Sequence, residues 1–211
     1  IQSAMKKANR RFKAAVSASA IGYYGDQGDT ILDERNNPGD EFLSTCCLLW
    51  ENASEQLQEV TDYNRIIRVG LVLSTRGGAL PKILMTKTVR LFNYFGNGKQ
   101  YYSWIHIDDL ANIFMHVMQN QLTGIYNAIA THPVTNEAFT YALKKSLCKN
   151  AMTFNTPAWA MKLLLGEKSA IVLDSTKVSN KKIVSTGFSF KYELLEDALK
   201  NFYGKYTSCH F

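Results

Sequence analysis

The stretch from residue 12 to residue 74 constrains the fold most. FKAAVSASAI (12–21) is a run of small and β-branched residues that reads as a buried strand ending in the turn GYYGDQGD. After the polar loop DERNNPGD, Phe42, Leu43, Cys46, Trp50, Ala53 and Leu57 recur at three- and four-residue spacing, with Asp40 placed to cap the first turn. That pattern predicts an amphipathic helix of about five turns. NRIIRVGLVLS (64–74) is then apolar and β-branched, as in a strand covered on both faces. Strand, helix, strand in this order is a right-handed crossover between parallel strands, so the chain is α/β.

Downstream, a helix is expected near 80–92, a second over DLANIFMHVMQN and a strand over GIYNAIAT (124–131). Beyond Pro133 the pattern becomes mainly helical: PVTNEAFTYALKKSL, an extended piece to about 156, PAWAMKLLLG, a polar stretch, and YELLEDALKNFY. Two units follow from this, 1–132 carrying the sheet, with 75–105 reaching toward a substrate side, and a smaller α+β unit over 133–211. The apolar PAWAMKLLL is expected to pack on the sheet-bearing part, because so few helices cannot bury themselves.

Composition narrows the function classes. No apolar run approaches the ~20 residues that span a bilayer, and the basic opening IQSAMKKANRRFK has no signal-like apolar stretch after it. Membrane partners are therefore not expected, and a cytoplasmic location is. The four cysteines have neither metal-ligand spacing nor the density of a disulfide scaffold, and the four histidines add no metal site. Five of the six net positive charges come from Lys6, Lys7, Arg10, Arg11 and Lys13, with only Phe12 interleaved. A solvated helix end explains them better than a nucleic-acid surface.

Gly22, Gly25 and Gly28 have GxxGxxG spacing after a strand. Their context argues against phosphate binding: Tyr23 and Tyr24 are bulky, Asp26 and Asp29 are acidic, and a proline-containing loop stands where a helix should start. Trp104, His106, Asp108 and Asp109 form the densest polar cluster, in which Asp108 or Asp109 can cap the following helix and His106 is a possible acid/base or ligand-orienting group.

The blocks VSASAIGYYGDQGD, Cys46 to Glu51, RVGLVLSTRGGAL, GNGKQYYSWIHIDDL, YNAIATHPVTNEAF and LLLGE…TGFSFKYELLEDAL occur in order. Together they resemble the atypical extended short-chain dehydrogenase/reductase family of NAD(P)-binding, nucleotide-sugar-epimerase-like proteins, whose C-terminal domain has no assigned function. The resemblance implies a Rossmann-type doubly wound parallel sheet with a smaller, mainly helical C-terminal domain. It also implies NADP(H) or NAD as cofactor, a small-molecule substrate such as a nucleotide sugar, and a glycine-rich GxxGxxG segment that the family carries before the point where this sequence starts. Tight cofactor binding is expected to need that segment.

Carried over residue by residue, the resemblance places Ser19, with Tyr23 and Tyr24, at the reacting group. Ser17, Ser19, Arg68, Gly70, Leu71 and Val72 fall on the nicotinamide side, and Gln100, Trp104 and His106 on the substrate side; read from the residues alone, Arg68 serves equally as a buried strand arginine paired with a nearby carboxylate, and Ser17 as a small residue packing a crowded strand. The pocket is expected beyond the ends of strands 14–19 and 66–73, with SWIHIDD as its far wall. The family's catalytic Tyr and Lys would fall at Leu43 and Cys47, neither of which can exchange a proton as a phenol does or supply a fixed cation. Two functions are thus open: an epimerase-like oxidoreductase with an atypical site, or a non-catalytic nucleotide-sensing or interaction protein on the same scaffold. The sequence sets no oligomeric state.

Overall fold

A computed structural model describes residues 2–85 and 90–204. Helix α1 (Gln2–Lys7) leads into β1 (Phe12–Ala20), a 3-10 turn over Ile21–Tyr24, β2 (Ile31–Leu32) and α2 (Phe42–Glu55). Then come β3 (Thr61–Val69), β4 (Leu71–Leu73), α3 (Ala79–Ile83), β5 (Leu91–Phe95), β6 (Tyr101–Tyr102), β7 (Trp104–His106), α4 (Ile107–Gln119) and β8 (Gly124–Ala128). The remainder is β9 (Val134–Thr135), α5 (Asn136–Leu147), β10 (Met152–Thr156), α6 (Ala158–Leu165), α7 (Ala170–Leu173), β11 (Lys177–Val178), α8 (Lys181–Val184) and α9 (Leu195–Tyr203). Of the helix expected near 80–92, the structure shows the short α3, and Leu91 already begins β5; residues 86–89 lie outside the described residues.

β1, β3 and β8 form a parallel sheet with β3 in the centre. Alternate residues of a strand face opposite ways, so Arg68 points toward α2 while Ile67 packs with Ile113 and Val117 of α4. Ser19, Arg68 and Asn127 are register partners and make one row across the three strands. The sheet's central strand is buried as expected, with Ile67 fully covered. β1 is not: it is the edge strand of this sheet, and Phe12, Ala18 and Ala20 are exposed.

At Gly70 the chain changes partners. Its N–H donates to Ala128 O (3.1 Å) while the next N–H, of Leu71, donates to Ser103 O (2.8 Å), so pairing passes from β8 to β7. A Cβ here would collide with the Ser103 carbonyl and with Ile129 Cγ2. The glycine is required by this close approach.

Helix α2 reverses the expected orientation. Phe42, Cys46, Trp50 and Ala53 lie on its exposed side, whereas Ser44, Glu51 and Ser54 are buried toward the sheet. The reason lies in Arg68 beneath it, a buried cation that demands a carboxylate and draws the helix's polar stripe inward. The expected cap, Asp40, is also displaced: Glu41 holds the N-cap position, and its carboxylate accepts from Asp26 N (3.2 Å) and Ser44 Oγ (3.1 Å).

A second core contains Leu73, Trp104, Phe139, Leu143 and Leu199, drawing on residues from both sides of position 132. β9 pairs with β6, β10 with β5 and β11 with β2, so the C-terminal segment adds strands to earlier ones. Helix α6 departs from its expected packing: Met161 is buried, but Trp159, Leu163 and Leu164 are 71%, 80% and 75% exposed. The eight residues of α6 bury one side chain only.

Candidate functional site

The row Ser19–Arg68–Asn127 supplies the centre of a buried polar network. Arg68 donates Nε to Glu51 Oε1 (2.9 Å) and Nη2 to Glu51 Oε2 (2.8 Å), a two-armed ion pair between side chains that are 2% and 5% exposed. Its Nη1 donates to Tyr24 Oη (3.0 Å), and Tyr24 donates onward to Asn127 Oδ1 (2.8 Å). The guanidinium lies over the Tyr23 ring, 3.4 Å from its centroid. Ser19 Oγ donates to Glu51 Oε1 at 2.7 Å. Six side chains from β1, the 3-10 turn, α2, β3 and β8 are thereby tied together at one end of the parallel sheet.

Burial alone would push the Arg68 guanidinium down, but hydrogen bonds and charge from Glu51 and Tyr24 outweigh it and hold Arg68 above its ordinary value. Tyr24 is raised, chiefly by burial. It is 0% exposed with both its donor and one acceptor position occupied, so its hydroxyl has no access to a ligand. Cys47, at the position where the resembling family has Lys, sits within hydrogen-bonding reach of Ser19 and the Ala20 backbone, and burial pushes its thiol up. Ser19 keeps partial exposure.

The other sequence-derived positions divide between this row and the core. Ser17 is half-buried two register positions back, opposite Ile66. Leu71 and Val72 pack into the two hydrophobic cores on either side of the sheet. Gln100 donates to Phe95 O (3.1 Å) and Val172 O (2.9 Å), and Trp104 donates to His132 O (3.0 Å). His106 is 1% exposed, its ring stacked between Tyr192 (centroids 3.9 Å apart) and Phe202 (4.3 Å). Its Nδ1 accepts from Asp108 N (3.0 Å), so His106 itself caps α4, and burial lowers its pKa. Asp109, one of the two expected caps, instead accepts from the Lys191 and Tyr192 N–H groups at 2.9 Å each, strapping the C-terminal segment to α4. None of Gln100, Trp104 and His106 joins the Ser19 network among the described contacts.

A cavity of about 420 Å³ opens at the other end of the sheet, where β3 and β8 begin, lined by Glu55, Gln58, Thr61, Arg65 and Gly124 among others. The expected position beyond the carboxyl ends of the strands, with SWIHIDD as a wall, does not coincide with it. Trp104, Ile105 and His106 are sealed in the core instead. Gly25 has φ 67°, and a Cβ there would collide with the Glu41 carboxylate. A carboxylate against this turn repels a phosphate, as its flanking acids suggested. No group of three or more His, Cys, Asp and Glu able to hold a metal occurs among the described residues, and no described helix is long and apolar enough to cross a membrane. Lys6 pairs with Glu59, and Arg11 with Asp62 at 3.3 Å, which accounts for part of the basic opening.

Glu51 and Asn127 are the network members for which sequence reading assigned no role. An acid at the inward position of a helix whose neighbours are Ser44, Cys47 and Ser54 was the available signal for Glu51. Asn127 inside an apolar strand gave the other.

Comparison with known proteins decides the family. Epimerase family proteins of Staphylococcus aureus are 35% identical over 198 residues in strain COL, covering 93% of this chain and 66% of the relative. In a bovine strain the figure is 34% over 202 residues, covering 95% and 67%. The chain belongs to the epimerase family. It spans about two-thirds of these relatives' length, and residues 156–202 match a domain of unknown function, DUF1731. Among epimerase-family structures, human epimerase family protein SDR39U1 (isoform 2), crystallised with NADPH, superposes with a TM-score of 0.88 at 27% identity, covering 95% of this chain and 68% of that one. A nucleoside-diphosphate sugar epimerase from Corynebacterium glutamicum superposes at 0.72 with 30% identity, covering 91% and 38%. The chain therefore shares the Rossmann-like α/β architecture with a largely helical C-terminal part seen in the human protein.

Proposed function

We propose that this chain forms the nicotinamide and substrate side of an NADP(H)- or NAD-dependent oxidoreductase of the epimerase/dehydratase type, acting in the cytoplasm on a small molecule such as a nucleotide sugar. The observation that carries this reading is the 0.88 superposition on a family member crystallised with NADPH. Ser17, Ser19 and the turn from Arg68 through Gly70 to Val72 line the nicotinamide end, with Ser19 the group that reaches the ligand and Tyr23 and Tyr24 its buried support. Gln100, Trp104 and His106 shape the substrate side from behind, by holding the C-terminal segment in place. A pyrophosphate needs converging N–H groups at a glycine turn and helix N-terminus. The described residues offer no such cradle, since Glu41 fills the turn at Gly25.

NADPH fluorescence titration tests the reading. The 211-residue chain alone should bind weakly, and the chain preceded by a GxxGxxG strand–turn–helix segment should bind far more tightly. Tight binding by the chain alone would reinstate Gly22, Gly25 and Gly28 as a phosphate site, and no binding by either form would overturn cofactor use.

Leu43 and Cys47 favour a second reading, a nucleotide-sensing protein that binds without turnover, because α2 carries no Tyr and no Lys. Cofactor binding with no NADPH oxidation across a panel of 4-keto nucleotide sugars would support it.

A further inference from the structure

The Ser19–Glu51 hydrogen bond fixes what kind of group Ser19 can bind. A serine hydroxyl has one proton and two lone pairs. Here the proton is committed: Ser19 Oγ donates to Glu51 Oε1 at 2.7 Å, and Glu51 accepts at both oxygens from Arg68, which identifies it as an ionised carboxylate with nothing to donate back. A ligand carbonyl at Ser19 would have to win that proton away. The exchange is unfavourable, because a hydrogen bond to a charged acceptor is roughly twice as strong as one to a neutral acceptor. Turning the hydroxyl outward would also remove a partner from a carboxylate that is only 4% exposed.

Resting on the functional reading above, we infer that Ser19 acts as a hydrogen-bond acceptor toward its ligand, so that the site selects a hydroxyl or N–H group, the alcohol form of a sugar-like substrate, over the corresponding ketone. Glu51 is the residue that sets this polarity, and Arg68 fixes both of its oxygens through two hydrogen bonds. The other hydroxyl with a defined place in the network cannot compensate: Tyr24 already donates to Asn127. Nor does Cys47 reverse it, since its sulfur is a far weaker acceptor of the Ser19 proton than the Glu51 carboxylate at 2.7 Å.

Neutron diffraction from deuterium-exchanged crystals of the full chain reads the polarity directly and needs no ligand. The Ser19 deuteron should lie on the line to Glu51 Oε1, and a deuteron aimed elsewhere would overturn the inference. Selectivity is read by titrating myo-inositol and its 2-keto derivative, with and without NADPH, while following the amide resonances of Ser19, Ala20 and Gly22. The polyol should bind about tenfold more tightly, a single misplaced hydrogen bond's worth. Ser19→Ala should erase the difference. The Glu51→Leu/Arg68→Met double variant, which removes the ion pair without leaving an unpaired charge, should shift preference toward the ketone. Equal or tighter binding of the ketone by the unmodified chain, or no resonance shift with either compound, would overturn the selectivity. If NADPH binds neither the chain nor the chain preceded by a GxxGxxG segment while the deuteron lies on the Glu51 line, the cofactor reading falls and the polarity of Ser19 stands.

Discussion

Arg68 and Glu51 meet through two hydrogen bonds of 2.9 and 2.8 Å inside the protein, joining the sheet's central strand to α2. Removing one partner of such a buried pair leaves a bare charge, which costs about 3–5 kcal/mol, whereas replacing both with apolar groups costs far less. Urea unfolding should therefore show Glu51→Ala destabilised by about that amount and Glu51→Leu/Arg68→Met much nearer the unmodified chain. Equal losses in both would deny that the charge pairing holds α2 in place.

Gly70 allows the strand to change partners where the Ser103 carbonyl and Ile129 crowd it. Gly70→Ala should cost about 1–3 kcal/mol by overpacking, measured by thermal or urea unfolding. A neutral result would show that the neighbouring segments yield freely.

Much of this arrangement was legible beforehand, in particular the parallel crossover, since the β-branched run 64–74 admits few alternatives. The orientation of α2 was not legible. Hydrophobic period alone pointed Phe42, Cys46 and Trp50 inward, and only the long-range partnership of Glu51 with Arg68, seventeen residues apart, explains the opposite result. Similarly, Ser19 could be picked out as a strand-end serine, but the direction of its hydrogen bond depends on that same distant pair. The burial of His106 was not legible either, because its partners Tyr192, Asn201 and Phe202 lie far along the chain and close over it.

The exposed apolar face of α6 leads to a contrasting expectation. Leu163→Ser and Leu164→Ser should leave stability within about 0.5 kcal/mol, as for other surface changes, while Met161→Ala on the covered side should cost about 2 kcal/mol. Thermal unfolding of the three variants distinguishes this packing from one in which the whole apolar run is buried.

Acid should act on the fold through His106. Burial lowers its pKa in the folded state, so the unfolded chain takes up a proton first, and the stability it contributes is lost as pH falls below the ordinary histidine value of about 6.5. Asp174 acts in the opposite sense. Burial, with Asp26 and Glu41 nearby, raises it to about 6, so the folded state binds its proton more readily and stability declines as pH climbs from the ordinary carboxylate range toward 6. Asp174→Asn should therefore stabilise the protein at pH 7 and change little at pH 4, and His106→Gln should flatten the fall between pH 6.5 and 5. Unfolding midpoints recorded from pH 4 to pH 7 read both, and a fall unchanged in His106→Gln would contradict the assignment.

The central claim places a nicotinamide cofactor at the end of the sheet marked by Ser19 and Arg68, away from the cavity where β3 and β8 begin. A crystal structure of the chain with NADPH, obtained with the GxxGxxG segment in front of it, tests this most directly. The account predicts the nicotinamide ring beyond the carboxyl ends of β1 and β3, with Ser19 facing it and still donating to Glu51. NADPH lodged instead among Thr61, Arg65 and Gly124 would contradict it.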